Sequence, residues 1–95
     1  MRDYFCIGSS PWNESCAQAG DPDYQAKALK ECRRFIHLLR NTFGPEPEGA
    51  ELRTKSFEHD FGTYYEVVCW FQTDHAKARA YAMHCEDDAP ATWEG

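Results

Sequence analysis

No run in this chain approaches the roughly 18 to 20 consecutive apolar residues that cross a bilayer. Its opening, Met1-Arg2-Asp3-Tyr4-Phe5-Cys6-Ile7-Gly8, lacks the long apolar core of a secretory signal. The expected location is the cytoplasm, with no membrane contact. Paired cysteines are missing too. Cys6, Cys16, Cys32, Cys69 and Cys85 make an odd count with no C-x-x-C, which disfavours a disulfide framework and supplies none of the close ligand pairs of a structural zinc site. A phosphate-cradling loop is absent as well: Gly8-Ser9-Ser10 follows a strand-like segment but has neither the glycine spacing nor the lysine, and the helix signal downstream opens with two aspartates that would repel an anion. There is no internal repeat and no low-complexity segment. No metal and no cofactor is expected.

What is present suffices for one hydrophobic core. The 95 residues are 42% hydrophobic and 15% aromatic despite a mean hydropathy of -0.73, enough bulky area for a single domain over residues 1–95 without metal or disulfide support. Tyr4 to Ile7 reads as a strand closed by Gly8-Ser9-Ser10-Pro11, and Ser10-Pro11-Trp12 as the start of a short helical turn through Asn13 to Ala19. Asp21-Pro22-Asp23 then marks a strong helix start. Ala28, Cys32, Phe35, Ile36, Leu39 and Phe43 recur every three or four residues on one face of that helix, which ends at Gly44-Pro45.

Leu52 to Phe57 alternates as a half-buried strand, Glu58 to Thr63 forms a hairpin connection, and Tyr64 to Phe71, nearly all β-formers, fits the middle of a sheet. Thr73 or Asp74 caps a last helix with Ala78, Tyr81, Ala82 and Cys85 on one side, expected to fray after Cys85 because acids there oppose the dipole. The order β-α-β-β-α predicts an α+β domain: a three-stranded antiparallel sheet, first strand beside third, with two helices on one face. This is a split β-α-β arrangement, half of a ferredoxin-like sheet. Such a sheet has free edges, so a homodimer through an edge or a face is one expected partner.

The charge of -6 is uneven: Asp21 to Phe43 nets +2 and the rest -8. The helix cations read as a solvated polar face, and an acidic chain without a dominant basic patch is a poor nucleic-acid binder, so no direct nucleic-acid contact is expected. Cys16, in a polar loop near a helix start, is the one candidate nucleophile, with His37, His59, His75 or His84 as possible bases, but nothing in the sequence pairs it with any of them. A small cysteine- or metal-dependent enzyme centred on Cys16, or a structural homodimer, is therefore the alternative reading. His84-Cys85 points to different sides of a helix, and Cys32, Cys69 and Cys85 fall on core faces, where cysteine packs as a small hydrophobe. No catalytic residue is assigned.

Binding is better supported. Trp12, Phe61, Tyr64, Trp70 and Trp93 exceed what a sheet with one uncovered face can bury, although Trp93 in the tail can fold back onto it. In the third strand Tyr65, Val67, Cys69 and Phe71 share one side, and Tyr64, Glu66, Val68 and Trp70, with the only charge, share the other, which is the expected open face. The candidate protein-binding residues are Glu46, Glu48, Glu51, Glu58, Asp60, Phe61, Tyr64, Glu66 and Trp70.

Three segments, Asn13-Glu14-Ser15-Cys16-Ala17-Gln18, Asp60-Phe61-Gly62-Thr63-Tyr64 and Glu66-Val67-Val68-Cys69, resemble segments of small accessory proteins carried by plasmids and phages. The resemblance implies a role in the contest between mobile elements and hosts, as an anti-CRISPR or antirestriction type of inhibitor, and brings no catalytic residue with it. The expectation is a non-catalytic protein-binding module. Its partner would be a bacterial defence complex that itself holds nucleic acid, contacted through acidic and aromatic surface.

Overall fold

In the computed structural model, residues 1–9, 23–59 and 62–89 are described. The expected turn at 13–19, Trp12, Cys16, Asp60, Phe61 and the tail with Trp93 lie outside them. The apolar spacing of the long helix dictates how the chain folds. Helix α1, Tyr24–Phe43, buries Ala28, Cys32, Phe35, Ile36 and Leu39 on one stripe, and Phe43 is half-buried against the same cluster. Each fully buried large apolar side chain contributes about 1.5–3 kcal/mol, so this stripe, and not helix propensity, holds α1 in place. Asp23 occupies the N-cap position without a capping hydrogen bond from its side chain. Described helix therefore begins at Tyr24. At its far end Gly44 takes φ 85°, a conformation open to glycine, and stops the helix where Pro45 follows.

Strand β1, Arg2–Ser9, strand β2, Ala50–His59, and strand β3, Gly62–Gln72, form one antiparallel sheet in the order β1-β3-β2. The β-rich run thus sits in the middle and β1 and β2 form the edges. The class and the β-α-β-β-α order are those expected. The hairpin, however, is tighter than expected: the β2–β3 ladder continues through Glu58↔Thr63 to His59↔Gly62. Only residues 60 and 61 remain between the strands, since the pairing extends as far as a two-residue connection allows. A bulge between Cys6 and Gly8 shifts the β1–β3 register.

Helix α2, Ala76–Asp87, buries Ala78, Ala82 and Cys85. Its cap differs from the expected Thr73 or Asp74. The backbone N–H and side-chain hydroxyl of Thr73 both donate to Met1 O, at 3.1 Å and 3.2 Å, extending the β1–β3 ladder by one pair. Thr73 is thereby unavailable, and His75 caps instead, its Nδ1 accepting from Ala78 N–H at 3.3 Å. The helix also passes Cys85 without ending, because the Asp88 N–H donates to His84 O and the Asp88 carboxylate lies 2.9 Å from His84 Nδ1.

Both helices lie on the same side of the sheet. The core cluster joins Cys32, Phe35, Ile36 and Leu39 of α1 with Ala78 and Ala82 of α2, and with Leu52, Val67, Cys69 and Phe71 of the sheet. Two tethers fix the helix layer: Tyr81 Oη donates to Gly44 O at 2.8 Å, and the Thr63 N–H donates to Tyr24 Oη at 3.1 Å. None of the described helices is long and apolar enough to cross a membrane.

Candidate functional site: the sheet face opposite the helices

Side chains alternate across a strand, so the row Tyr65, Val67, Cys69 and Phe71 that meets the helices leaves Tyr64, Glu66, Val68 and Trp70 on the opposite side of β3. Ladder pairing adds their neighbours. Tyr4 stands opposite Trp70 and Cys6 opposite Val68, while Glu51, Arg53, Lys55 and Phe57 stand opposite Trp70, Val68, Glu66 and Tyr64. The result is a continuous three-strand surface on which Tyr4, Phe57, Tyr64 and Trp70 are all half-buried around a fully buried Val68.

Its aromatic groups are organised around Trp70. The Tyr4 and Trp70 rings lie 4.7 Å apart at 51°. The Arg2 guanidinium sits 5.0 Å from the Trp70 ring centroid, and the Lys55 ammonium lies 5.5 Å, 5.4 Å and 5.7 Å from the rings of Tyr4, Phe57 and Trp70. These are cation–π distances: the negative ring faces hold the two charges in place on the sheet surface. Beside them Arg53 Nε pairs with Glu51 Oε1 at 2.7 Å. At the end of this face a recess of about 350 Å³ is lined by Arg2, Gly49, Ala50, Glu51, Trp70 and Gln72. The larger cleft, about 640 Å³, lies elsewhere, between Pro47-Glu48 and the start of α2 at Asp74 to Lys77. It is lined by no Phe, Tyr or Trp side chain, so the sheet face is the better-built contact surface.

The sequence-derived site residues divide accordingly. Tyr64, Glu66 and Trp70 come together on the sheet face, with Glu51 at its border. Glu46 is instead half-buried and held by Arg40 Nε at 2.6 Å. Glu48 is exposed beside the larger cleft. Glu58 accepts from the Thr63 hydroxyl at 2.9 Å. Glu51 and Glu58 stand seven residues apart on one strand, roughly 23 Å at the usual rise, so the expected acidic residues do not form one patch. Asp60 and Phe61 lie outside the described residues. Sequence reasoning missed Arg2, Tyr4, Arg53, Lys55 and Phe57. The alternation in β2 carried the signal, since Arg53, Lys55 and Phe57 share parity; the β1 residues needed the register.

The described cysteines are not activated. Burial pushes the Cys32 and Cys69 thiols up to about 12 and Cys85 to about 11. Cys6, on the sheet face, is raised to about 11 by desolvation and then by a hydrogen bond and the charge of Glu66. All four are protonated at neutral pH and are weak nucleophiles there. Among the described residues no three His, Cys, Asp or Glu side chains group as metal ligands. The helix cations are exposed at Lys27, Lys30 and Arg33, whereas Arg34 pairs with Glu31 at 3.0 Å.

Comparison with known protein families, with curated proteins and with solved structures finds no match for this chain.

Proposed function

We propose that the chain is a non-catalytic protein-binding module that acts through the face of its sheet opposite the two described helices. One observation carries the reading: Tyr4, Phe57, Tyr64 and Trp70, with cations seated on three of these rings, form a continuous surface across three strands on the side away from both helices. Large amphipathic rings and arginine are the side chains that dominate protein contacts, because they bury much area at low entropy cost. The partner in this reading is a bacterial defence complex, inhibited by occlusion, a role that rests on the resemblance of three segments to plasmid- and phage-borne accessory proteins. Relative to an acidic-loop mechanism, the weight moves to the aromatic face, because Glu46, Glu51 and Glu58 are each engaged within the chain.

Capture from bacterial lysate by the immobilised chain tests it. Tyr4→Ala and Trp70→Ala should abolish capture while circular dichroism stays unchanged. Charge reversal at Glu46, Glu48 and Glu51, and separately at Glu58 and Asp60, should leave it largely intact. Capture that survives both aromatic substitutions and fails on either charge reversal would return the function to the acidic loops.

A further inference from the structure

The cations on the sheet face say what kind of partner surface fits it. Neither Arg2 nor Lys55 makes an ion pair among the described residues; each is held against aromatic rings instead. Both lie within 6 Å of the same indole, at 5.0 Å and 5.7 Å, which brings the two charges within about 11 Å of each other, the reach of a cation–π contact on either side. Arg53 is neutralised by Glu51 at the border. With Arg2, Arg53 and Lys55 set against Glu51 and Glu66, the described residues of the face net +1 on a chain of net -6. A chain this acidic repels a polyanion such as a nucleic acid at longer range. A short acidic segment carries few charges and meets that repulsion only weakly.

We infer that the face takes an extended acidic segment of a protein partner, two of whose carboxylates meet Arg2 and Lys55 while its apolar side chains rest on Tyr4, Phe57 and Trp70. Carboxylates at alternate positions of an extended chain stand about 7 Å apart on one side, within the span of the two cations. The charges are pre-positioned by the rings, so binding them orders few additional side chains. This inference rests on the sheet-face reading above and adds the chemistry of the partner.

The test is amide NMR of the full chain, titrated with three probes in physiological salt. The first is a nine-residue peptide with Glu, Glu, Phe and Leu at alternate positions and serine between. The second is the same peptide with Gln for both Glu, and the third an eight-nucleotide oligothymidylate. The acidic peptide should shift the signals of Arg2 to Cys6, Arg53 to Phe57 and Tyr64 to Trp70, and the Gln peptide should bind about fivefold or more weakly. Arg2→Gln and Lys55→Met should each weaken the acidic peptide about two- to fivefold, the range for exposed charge pairs. Lys55→Met keeps the aliphatic stem over the rings, and preserved signal dispersion in each variant reports an intact fold.

Equal binding of the Gln peptide at the same signals would overturn the acidic-partner inference and leave the sheet-face reading standing. Tighter binding of the oligothymidylate would assign the face to nucleic acid, and concentration-dependent broadening confined to these signals would assign it to a second copy of the chain. Either result overturns the inference, as does the absence of shifts with every probe. The sheet-face reading is decided independently by the capture experiment.

Discussion

Replacing Phe35 by alanine, and separately Tyr4 by alanine, tests which side of the sheet the helices cover. Phe35 is 0% exposed, in the middle of the α1 stripe against β3. Its truncation removes nearly all of a buried aromatic side chain and leaves a cavity, a change costing about 3–5 kcal/mol. A domain of this length has a total stability of roughly 5–14 kcal/mol, so the loss is about a fifth or more of the whole. The melting midpoint should fall by about 4–8 °C per kcal/mol, hence by at least ~12 °C. Tyr4 is half-buried on the opposite face and meets Trp70 at 4.7 Å. Its truncation costs the ring pair and partial burial, about 1–1.5 kcal/mol. Thermal and urea unfolding followed by circular dichroism at 222 nm measures both. If Tyr4→Ala cost as much as Phe35→Ala, the open face would be a covered one and the functional reasoning built on it would fail.

Gly49→Ala should destabilise more than Gly44→Ala in urea titrations. Both glycines have positive φ, 88° and 85°, but a Cβ on Gly49 would meet Ala78 Cβ and the His75 ring at 3.3 Å, whereas one on Gly44 meets nothing within 4 Å; about 1–2 kcal/mol of backbone strain is common to both. Tyr81→Phe removes the hydrogen bond to Gly44 O and should cost about 1 kcal/mol in the same assay. Alkaline titration has a definite sign. The folded-state values of Cys32 and Cys69 are raised from 9.0 to about 12, so the folded chain holds these protons more tightly than the unfolded one. Their contribution is fully present below pH 9 and is lost as pH climbs toward 12. The urea midpoint should fall over that window, and Cys69→Ala should flatten the fall; an unchanged slope in that variant would contradict the assignment.

Much of the fold could be read from local pattern. The α1 stripe from Ala28 to Leu39 repeats at helical spacing and is the buried face observed. The run Tyr64 to Phe71 is nearly all β-formers and occupies the sheet centre. What escaped the sequence depends on contacts between distant residues. His75 caps α2 because Thr73 is drawn to Met1, 72 positions away. The strands reach closer to the hairpin because pairing, not composition, decides where a strand ends. The site shows the same division. Tyr64, Glu66 and Trp70 share a parity that one strand displays by itself, but the seating of Lys55 over Trp70 and of Arg2 beside it follows from the β1–β3–β2 register. Charge counted along the chain made this region look acidic; charge counted across the strands makes its face net positive.

The central claim, that the chain binds a protein through this face, is tested most directly by placing a photo-crosslinking amino acid at Phe57 on the sheet face and, in a separate variant, at Lys30 on the exposed side of α1. Irradiation in the lysate where capture is seen should yield a partner adduct from position 57 and none from position 30. An adduct formed from position 30 alone would contradict the account and place the contact on the helix layer.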